Sequence, residues 1–127
     1  RLRDERESSI LYITHDLAVA AELCDRIGVM YAASLCELAA TEELFDAPLH
    51  PYTRALMAAV PKPGEEPRAI GGFVADAIDP PPGCRFHPRC SEVMAVCRER
   101  DPVLVEIHPG HSVACHLYSG EKVADTA

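Results

Sequence analysis

The sequence predicts an α/β fold followed by a small, irregular, cysteine-rich extension. Three observations lead to this prediction: short apolar runs alternate with helical patterns in residues 1–60, six of the eleven prolines gather in residues 61–83, and four of the six cysteines lie in residues 84–118. The first part is typical of a sheet domain, the second of a linker, and the third of a module stabilised by a metal or cluster. Residues 119–127 are polar, and we expect a disordered tail.

The overall charge argues against one class of partner. Twelve Lys and Arg against twenty Asp and Glu give a net charge of −8, whereas binding to nucleic acid requires a basic surface. No apolar run approaches the roughly 20 residues of a membrane-spanning helix, and the charged N-terminus lacks the pattern of a signal peptide. We therefore expect a cytoplasmic protein without a nucleic-acid partner.

The first elements are predicted to be a strand, a helix and a hairpin. The apolar run 10–13 predicts a strand buried on both faces, and Asp16 is a suitable N-cap for the amphipathic helix that follows. Residues 27–31 predict a second strand and residues 34–38 its hairpin partner, although the two alanines between them are poor turn residues. A strand buried on both faces needs neighbours on both sides, and residues 1–60 offer too few. We therefore expect the chain to begin in the middle of a domain.

Two helices are predicted next. Thr41 is expected to cap a short helix. Pro51 occupies the first position of another helix, which ends before Pro61. We assign to His50, which precedes that helix, a capping or packing role and no metal.

Motifs in the first part resemble a known family. The segments 13–17, 24–27 and 30–32 read Ile-Thr-His-Asp-Leu, Cys-Asp-Arg-Ile and Met-Tyr-Ala, and in this order they resemble the end of an ABC-transporter ATPase core. In that family the histidine that follows the strand is the switch histidine. The resemblance therefore implies that His15 contacts the γ-phosphate of an ATP held between two ATPase domains.

Later motifs resemble one branch of that family. Residues 48–56, Pro-Leu-His-Pro-Tyr-Thr-Arg-Ala-Leu, are similar to the signature of the oligopeptide, dipeptide and nickel importers. Residues 82–90 and 110–117 resemble the C-terminal extension of the same branch, and all the motifs together cover most of residues 9–118. Departures at residues 33–40 concern the hairpin and its exit.

The resemblance implies the C-terminal part of a P-loop ABC ATPase domain. The intact parent is expected to bind ATP and Mg²⁺, to pair with a second, homologous or identical ATPase subunit, and to dock on transmembrane permease subunits. It would lie at the cytoplasmic face of the cell membrane, as a peripheral protein, and power the import of peptides or nickel. The 127 residues contain no Gly-rich phosphate loop, signature motif or acidic Mg²⁺ strand. Alone, the chain is therefore expected neither to bind ATP tightly nor to hydrolyse it.

Four cysteines are the candidate metal ligands: Cys84, Cys90, Cys97 and Cys115. Disulfides are disfavoured because the rest of the chain has a cytosolic character. Structural zinc is possible, but zinc sites usually show closely spaced cysteine pairs, which are absent here. An iron–sulfur (4Fe–4S) cluster accepts four thiolates at irregular spacings, and the family resemblance also points to the cluster, with zinc as the alternative.

A second functional hypothesis follows from the cysteines alone. The chain is then a non-catalytic iron–sulfur or zinc-binding module with a structural or interaction role. Two arginines, Arg85 and Arg89, flank the first ligands and are placed to offset thiolate charge. Three histidines near the module could each replace a cysteine as metal ligand: His87, His111 and His116. The other two cysteines, Cys24 and Cys36, are expected in the core.

Overall fold

The computed structural model describes residues 8–119. In chain order, the regular elements of this part include helix α1 (Leu17–Leu23), strands β1 (Arg26–Tyr31) and β2 (Ser34–Ala40), helices α2 (Thr41–Asp46) and α3 (Pro51–Ala59), two 3-10 turns (His87–Arg89 and Ala95–Arg98), and strands β3 (Val105–His108) and β4 (His111–Val113). Residues 116–119 are also helical. None of the helices in residues 8–119 is long and apolar enough to cross a membrane. The tail predicted at 119–127 lies almost entirely outside the described residues.

A single antiparallel sheet joins the early and late parts of the described chain. The strand order is β1-β2-β4-β3, so the hairpin formed by β3 and β4, here called the C-terminal hairpin, pairs with β2. Glu37 lies opposite Val113, and the backbone N–H of Ala114 donates to the carbonyl of Cys36 at 2.8 Å. The α/β character expected from the sequence is confirmed, and the two predicted parts on either side of the linker share this sheet.

The predicted β1–β2 hairpin is confirmed, with an unusual turn. Ile27, Val29 and Tyr31 are buried and alternate with exposed residues, as expected of a strand with one face on the core. The turn residues Ala32 and Ala33 have φ values of 45° and 62°. A tight hairpin turn of this hand needs positive φ at both central positions, and for a residue with a Cβ this costs about 1 kcal/mol or more.

The strand predicted at residues 10–13 is wrong. This segment carries no strand in the described structure, and its side chains are exposed: Ile10 by 64%, Leu11 by 90%, Tyr12 by 50% and Ile13 by 90%. An apolar run becomes a buried strand only where neighbouring strands accept its backbone hydrogen bonds. The sheet of residues 8–119 has β1 and β3 at its edges, and neither pairs with this segment.

Two of the predicted helix starts are confirmed. The carboxylate of Asp16 accepts hydrogen bonds from the backbone N–H groups of Ala18 at 2.9 Å and Val19 at 3.2 Å. His50 caps α3 with its ring, because Nδ1 accepts from the backbone N–H of Tyr52 at 3.0 Å. Both side chains satisfy donors that the first turn of a helix leaves without partners.

The cap predicted for α2 is wrong. The residue at the N-cap is Ala40, which makes no capping hydrogen bond through its side chain. Strand β2 runs directly into α2, so Thr41 already belongs to the helix. Its hydroxyl donates instead to the carbonyl of Cys24 and ties the start of α2 to the end of α1.

The core consists of two apolar clusters. The first, between α1, β1, β2 and α2, contains the buried side chains of Ala20, Ile27, Val29, Ala39 and Leu44. The second is formed by Tyr31, Cys36 and Phe86, and the Tyr31 ring lies edge-on to Phe86 at 5.2 Å between centroids. The second cluster joins the sheet to the cysteine-rich segment, and it confirms that Cys36 is a core residue.

The proline-rich linker carries no helix or strand at residues 61–83, yet its middle is fixed. The Arg89 side chain donates to the carbonyl of Gly71 at 2.7 Å and to that of Ile70 at 3.0 Å. The hydroxyl of Tyr31 accepts from the backbone N–H of Ala75 at 3.0 Å. The linker is therefore held against the second cluster.

Candidate functional site

The four candidate ligands occupy neighbouring turns around the end of β4. Cys84 precedes the first 3-10 turn and Cys90 ends it, Cys97 lies in the second 3-10 turn, and Cys115 follows β4. The backbone N–H of Cys84 donates to the carbonyl of Cys97 at 2.8 Å. We call these four residues the cysteine centre.

Gly83 makes the close approach inside the cysteine centre possible. Its φ is +75°, and a Cβ on this residue would stand 2.3 Å from the carbonyl oxygen of Cys97. No side chain fits at that distance. The glycine therefore lets the chain before Cys84 pass against the second 3-10 turn, which brings the first and third cysteines together.

The thiols of the cysteine centre influence one another electrostatically. Burial raises the pKa of Cys84 and of Cys90, and it raises the pKa of Cys115 to about 11. Neighbouring thiols of the centre raise these pKa values further. Opposing this, backbone N–H groups two residues further along the chain hydrogen-bond the sulfurs and lower the pKa: those of Phe86, Glu92 and Leu117.

The geometry of the cysteine centre limits the metals that it can hold. All six cysteines are free thiols. Within residues 8–119, no three His, Cys, Asp or Glu side chains converge closely enough to hold a single metal ion. The donors are therefore soft sulfurs with N–H groups directed at them, gathered in one region but not around one ion. The metal- or cluster-stabilised character expected of the extension therefore finds no support in the described residues.

Other polar side chains near the cysteine centre hold backbone carbonyls. A ring nitrogen of His87 lies 2.8 Å from the carbonyl oxygen of Cys84, and one of His116 lies 2.8 Å from that of Arg100. Arg85 donates to the carbonyl of Ala32, and Arg89 holds the linker. These side chains therefore anchor loops through hydrogen bonds to backbone carbonyls. The roles that the sequence suggested for them near the metal stay predictions.

His50 connects α3 to the residue next to the fourth cysteine. Burial lowers its pKa to about 4, so the ring is neutral at neutral pH. While Nδ1 caps the helix, the ring also hydrogen-bonds the backbone of Ala114. The ring packs 5.9 Å from that of Phe86, measured between centroids. The capping and packing role expected for His50 is confirmed.

His15, the predicted switch histidine, is exposed and directly precedes the N-cap of α1. The hydrogen bond from the backbone N–H of Asp16 to the Thr14 hydroxyl, at 3.0 Å, shapes the turn on which it sits. Its contact with ATP stays a prediction.

Sequence reasoning missed a polar cluster of Glu37, Glu43 and His111, in which Glu37 and His111 are buried. His111 was considered only as a spare ligand, yet its side chain is fully buried with Nε2 2.6 Å from Glu37 Oε1. The available signal was an acid at position 37 inside an apolar strand. A buried carboxylate requires partners, and local periodicity does not reveal a partner 74 residues away.

Comparison with known proteins gives one family. The family described as "Oligopeptide/dipeptide transporter, C-terminal region" matches residues 36–97. The oligopeptide transport ATP-binding protein AppF of Bacillus subtilis is 44% identical over 124 residues, covering 93% of this chain and 38% of that protein. The probable peptide ABC transporter ATP-binding protein y4tR of Sinorhizobium fredii is 48% identical over 118 residues, covering 90% and 35%.

A dipeptide transport ATP-binding protein gives a similar match. DppD of Caldanaerobacter subterraneus is 42% identical over 113 residues, covering 87% of this chain and 35% of that protein. The chain thus spans 35–38% of the length of these three relatives.

Proposed function

Because the chain belongs to the oligopeptide/dipeptide transporter family of ABC ATP-binding proteins, we propose that it is the C-terminal portion of a subunit that powers peptide import. The observation that carries this proposal is the extent of the similarity, which reaches 93% of the chain at 44% identity. Peptide is the cargo named for these relatives, so we favour it over nickel.

In this proposal His15 supplies the contact with the γ-phosphate. Its ring is exposed at the turn before α1, where an imidazole N–H can donate to a phosphate oxygen. Other segments of the protein must bind the remaining phosphates and Mg²⁺, since residues 1–127 contain no phosphate loop. We therefore expect no ATPase activity from the 127-residue chain alone.

The proposal also implies partners and a location. A second ATPase subunit completes the nucleotide site. The ATPase pair docks on transmembrane permease subunits and powers import through them. The protein then works as a peripheral subunit at the cytoplasmic face of the membrane.

The test is ATP turnover by the complete subunit, assembled with its permease partners. Replacing one donor to a developing charge lowers kcat by about 10²–10³, and we expect His15→Ala to do so. His108→Ala, at another exposed histidine, is the matched control and should keep full turnover. Wild-type turnover in His15→Ala would exclude the assigned role.

The cysteine centre supports a second candidate function, that of an iron–sulfur-binding module. Cys84, Cys90, Cys97 and Cys115 would hold a 4Fe–4S cluster, and the backbone N–H groups at three of the sulfurs would stabilise the thiolates. When bound, the cluster would cross-link a segment too small to form a core alone.

An iron–sulfur cluster and the alternative, zinc, are distinguished by the colour and the metal content of the purified protein. Protein purified without oxygen should be brown, absorb broadly near 400 nm and contain about four irons per chain if a cluster binds. A zinc protein is colourless. We expect Cys84→Ser to lose the metal. Cys24 packs on the first apolar cluster, so Cys24→Ser should keep the metal. Full iron content in Cys84→Ser would reject the cluster assignment.

A further inference from the structure

Glu37 is a buried carboxylate surrounded by donors. Its side chain is fully buried. Oε1 accepts from the backbone N–H of Leu49 at 2.7 Å and Oε2 from that of His50 at 2.9 Å. Oε1 also lies 2.6 Å from Nε2 of His111. Because both oxygens already face N–H donors, Glu37 is an ionised acceptor, and Nε2 of His111 carries a hydrogen.

The second ring nitrogen of His111 also faces a carboxylate. Nδ1 lies 3.0 Å from Oε1 of Glu43, at the distance of an ion pair but without an aligned hydrogen bond. The His111 side chain is fully buried, whereas that of Glu43 is 34% exposed. A neutral ring would leave Nδ1 buried without a partner and with its lone pair turned to a negative charge, which is costly.

The charges around this pair favour placing a proton on the ring. Glu37 on β2 and Glu43 on α2 both face His111, and Glu106 on β3 accepts from the backbone N–H of Gly110 at 2.6 Å. The ring of His108 lies 6.2 Å away between centroids. The Arg26 guanidinium donates to the Gly110 carbonyl at 3.2 Å and does not contact either carboxylate. The ring of His111 is therefore the counter-charge that a fully buried Glu37 requires.

We propose that His111 is a buried imidazolium held between Glu37 and Glu43, and that this ion triad latches the C-terminal hairpin to β2. The latch lies beside the strand pairing of Glu37 with Val113. Beyond it, Ala114 bonds to Cys36 and leads into Cys115. The latch therefore also positions the fourth residue of the cysteine centre.

The protonation state is tested by NMR of the full chain with ¹⁵N-labelled histidine. At neutral pH we expect the two His111 ring nitrogens to give imidazolium shifts, with Glu43→Gln removing the Nδ1 proton at that pH. Glu42→Gln, an exposed neighbour on the same helix, should leave the ring charged. A neutral His111 ring in the unmodified chain, protonated on Nε2 alone, would overturn the proposal.

The latch itself is tested by hydrogen exchange at the amides of Val113 and Ala114. Removing one partner of a buried ion pair is costly. His111→Asn should therefore accelerate hydrogen exchange at the amides of Val113 and Ala114 by about a hundredfold. Alkylation of Cys115 should accelerate in parallel. His108→Asn is the control on the other strand of the hairpin. Unchanged exchange in a folded His111→Asn protein would refute the latch, and Glu43→Gln provides the same readout if that variant does not fold.

Discussion

At the scale of single residues, Gly83 and His50 determine how the late part of the chain packs against the early part. Gly83 admits the backbone of the second 3-10 turn at a distance that no Cβ tolerates. His50 stays neutral in the interior and bonds both to the start of its own helix and to the backbone of Ala114. Neither residue is assigned a metal or a substrate, yet both support the geometry of the cysteine centre.

Gly83→Ala should destabilise the protein more than an ordinary glycine substitution at positive φ. Left-handed conformation in a residue with a Cβ costs about 1–2 kcal/mol, and here a collision with the Cys97 carbonyl is added. Gly64→Ala is the matched control, because Gly64 has φ +83° and nothing within 4 Å of its Cβ position. Chemical denaturation measures both. Equal losses of unfolding free energy would show that the close approach carries no cost.

His50 should make the protein less stable in mild acid. Its pKa is lowered from 6.5 to about 4 in the folded chain, so between these values the unfolded state binds more protons than the folded state. The resulting stability is complete above pH 6.5 and is lost as the pH falls towards 4, by about 3 kcal/mol.

The variant that isolates this effect is His50→Asn, since an asparagine retains a capping acceptor without titrating. Unfolding free energies measured from pH 7 to 4 should show a shallower slope for this variant than for the unmodified chain. His108→Asn, at an exposed histidine, should keep the original slope. Parallel profiles for His50→Asn and the unmodified chain would contradict the assignment.

At the scale of elements, the β1–β2 turn is a strained connection. Both central residues are alanines in the left-handed region, where a tight hairpin turn would favour Asn-Gly. The hairpin forms nevertheless, because the alternating buried side chains of β1 fix its register against β2. Packing therefore prevails over turn preference in this hairpin.

Ala33→Gly should stabilise the hairpin. Ala33 is exposed with φ 62°, so a glycine relieves about 1 kcal/mol of strain without loss of packing. The control is Ala77→Gly, at an exposed alanine outside the left-handed region, which should lower stability slightly through unfolded-state entropy. Thermal unfolding gives the comparison. A lower midpoint temperature for Ala33→Gly would mean that the turn is not under strain.

Local signals in the sequence predicted the individual elements better than they predicted which elements pack against one another. The caps at Asp16 and His50 and the strand at residues 27–31 depend on short-range features, and each was found where expected. The pairing of β2 with β4 connects residues more than 70 positions apart, and periodicity carries no information on it. The error at residues 10–13 has the same origin, because an apolar run indicates a tendency to be buried but not what is available to bury it. The cysteines were identifiable by type, whereas Glu37 and His111 became a pair only in three dimensions.

At the scale of the whole molecule, several contacts join the parts of the chain on either side of its linker. Strand β4 lies between β2 and β3, Phe86 completes the second apolar cluster, and Arg54 on α3 forms an ion pair with Glu92 at 2.9 Å. The same Arg54 contacts the hydroxyl of Tyr118 at 2.6 Å. The ATPase-like and cysteine-rich parts are thus structurally interdependent.

A chain ending at residue 60 should therefore be poorly folded. It retains β1 and β2 but lacks β4, Phe86 and the donor that neutralises Glu37, so a charge and several apolar side chains lose their partners. Poor amide dispersion in NMR and no cooperative unfolding are expected, against the full 127-residue chain as reference. A sharp, monomeric unfolding transition for residues 1–60 would show that the early part folds independently.

The strand order also has a consequence for biosynthesis. Strand β2 ends at Ala40, but its partner β4 begins at His111, and at about 5–20 residues per second a ribosome needs several seconds to make the intervening chain. Throughout that interval one edge of β2 has no partner, and the carboxylate of Glu37 lacks the counter-charge that His111 provides. An unpaired edge readily recruits a strand from another chain, but a charge on that edge opposes such association. The residue that anchors the finished sheet would therefore also protect the nascent one from aggregation.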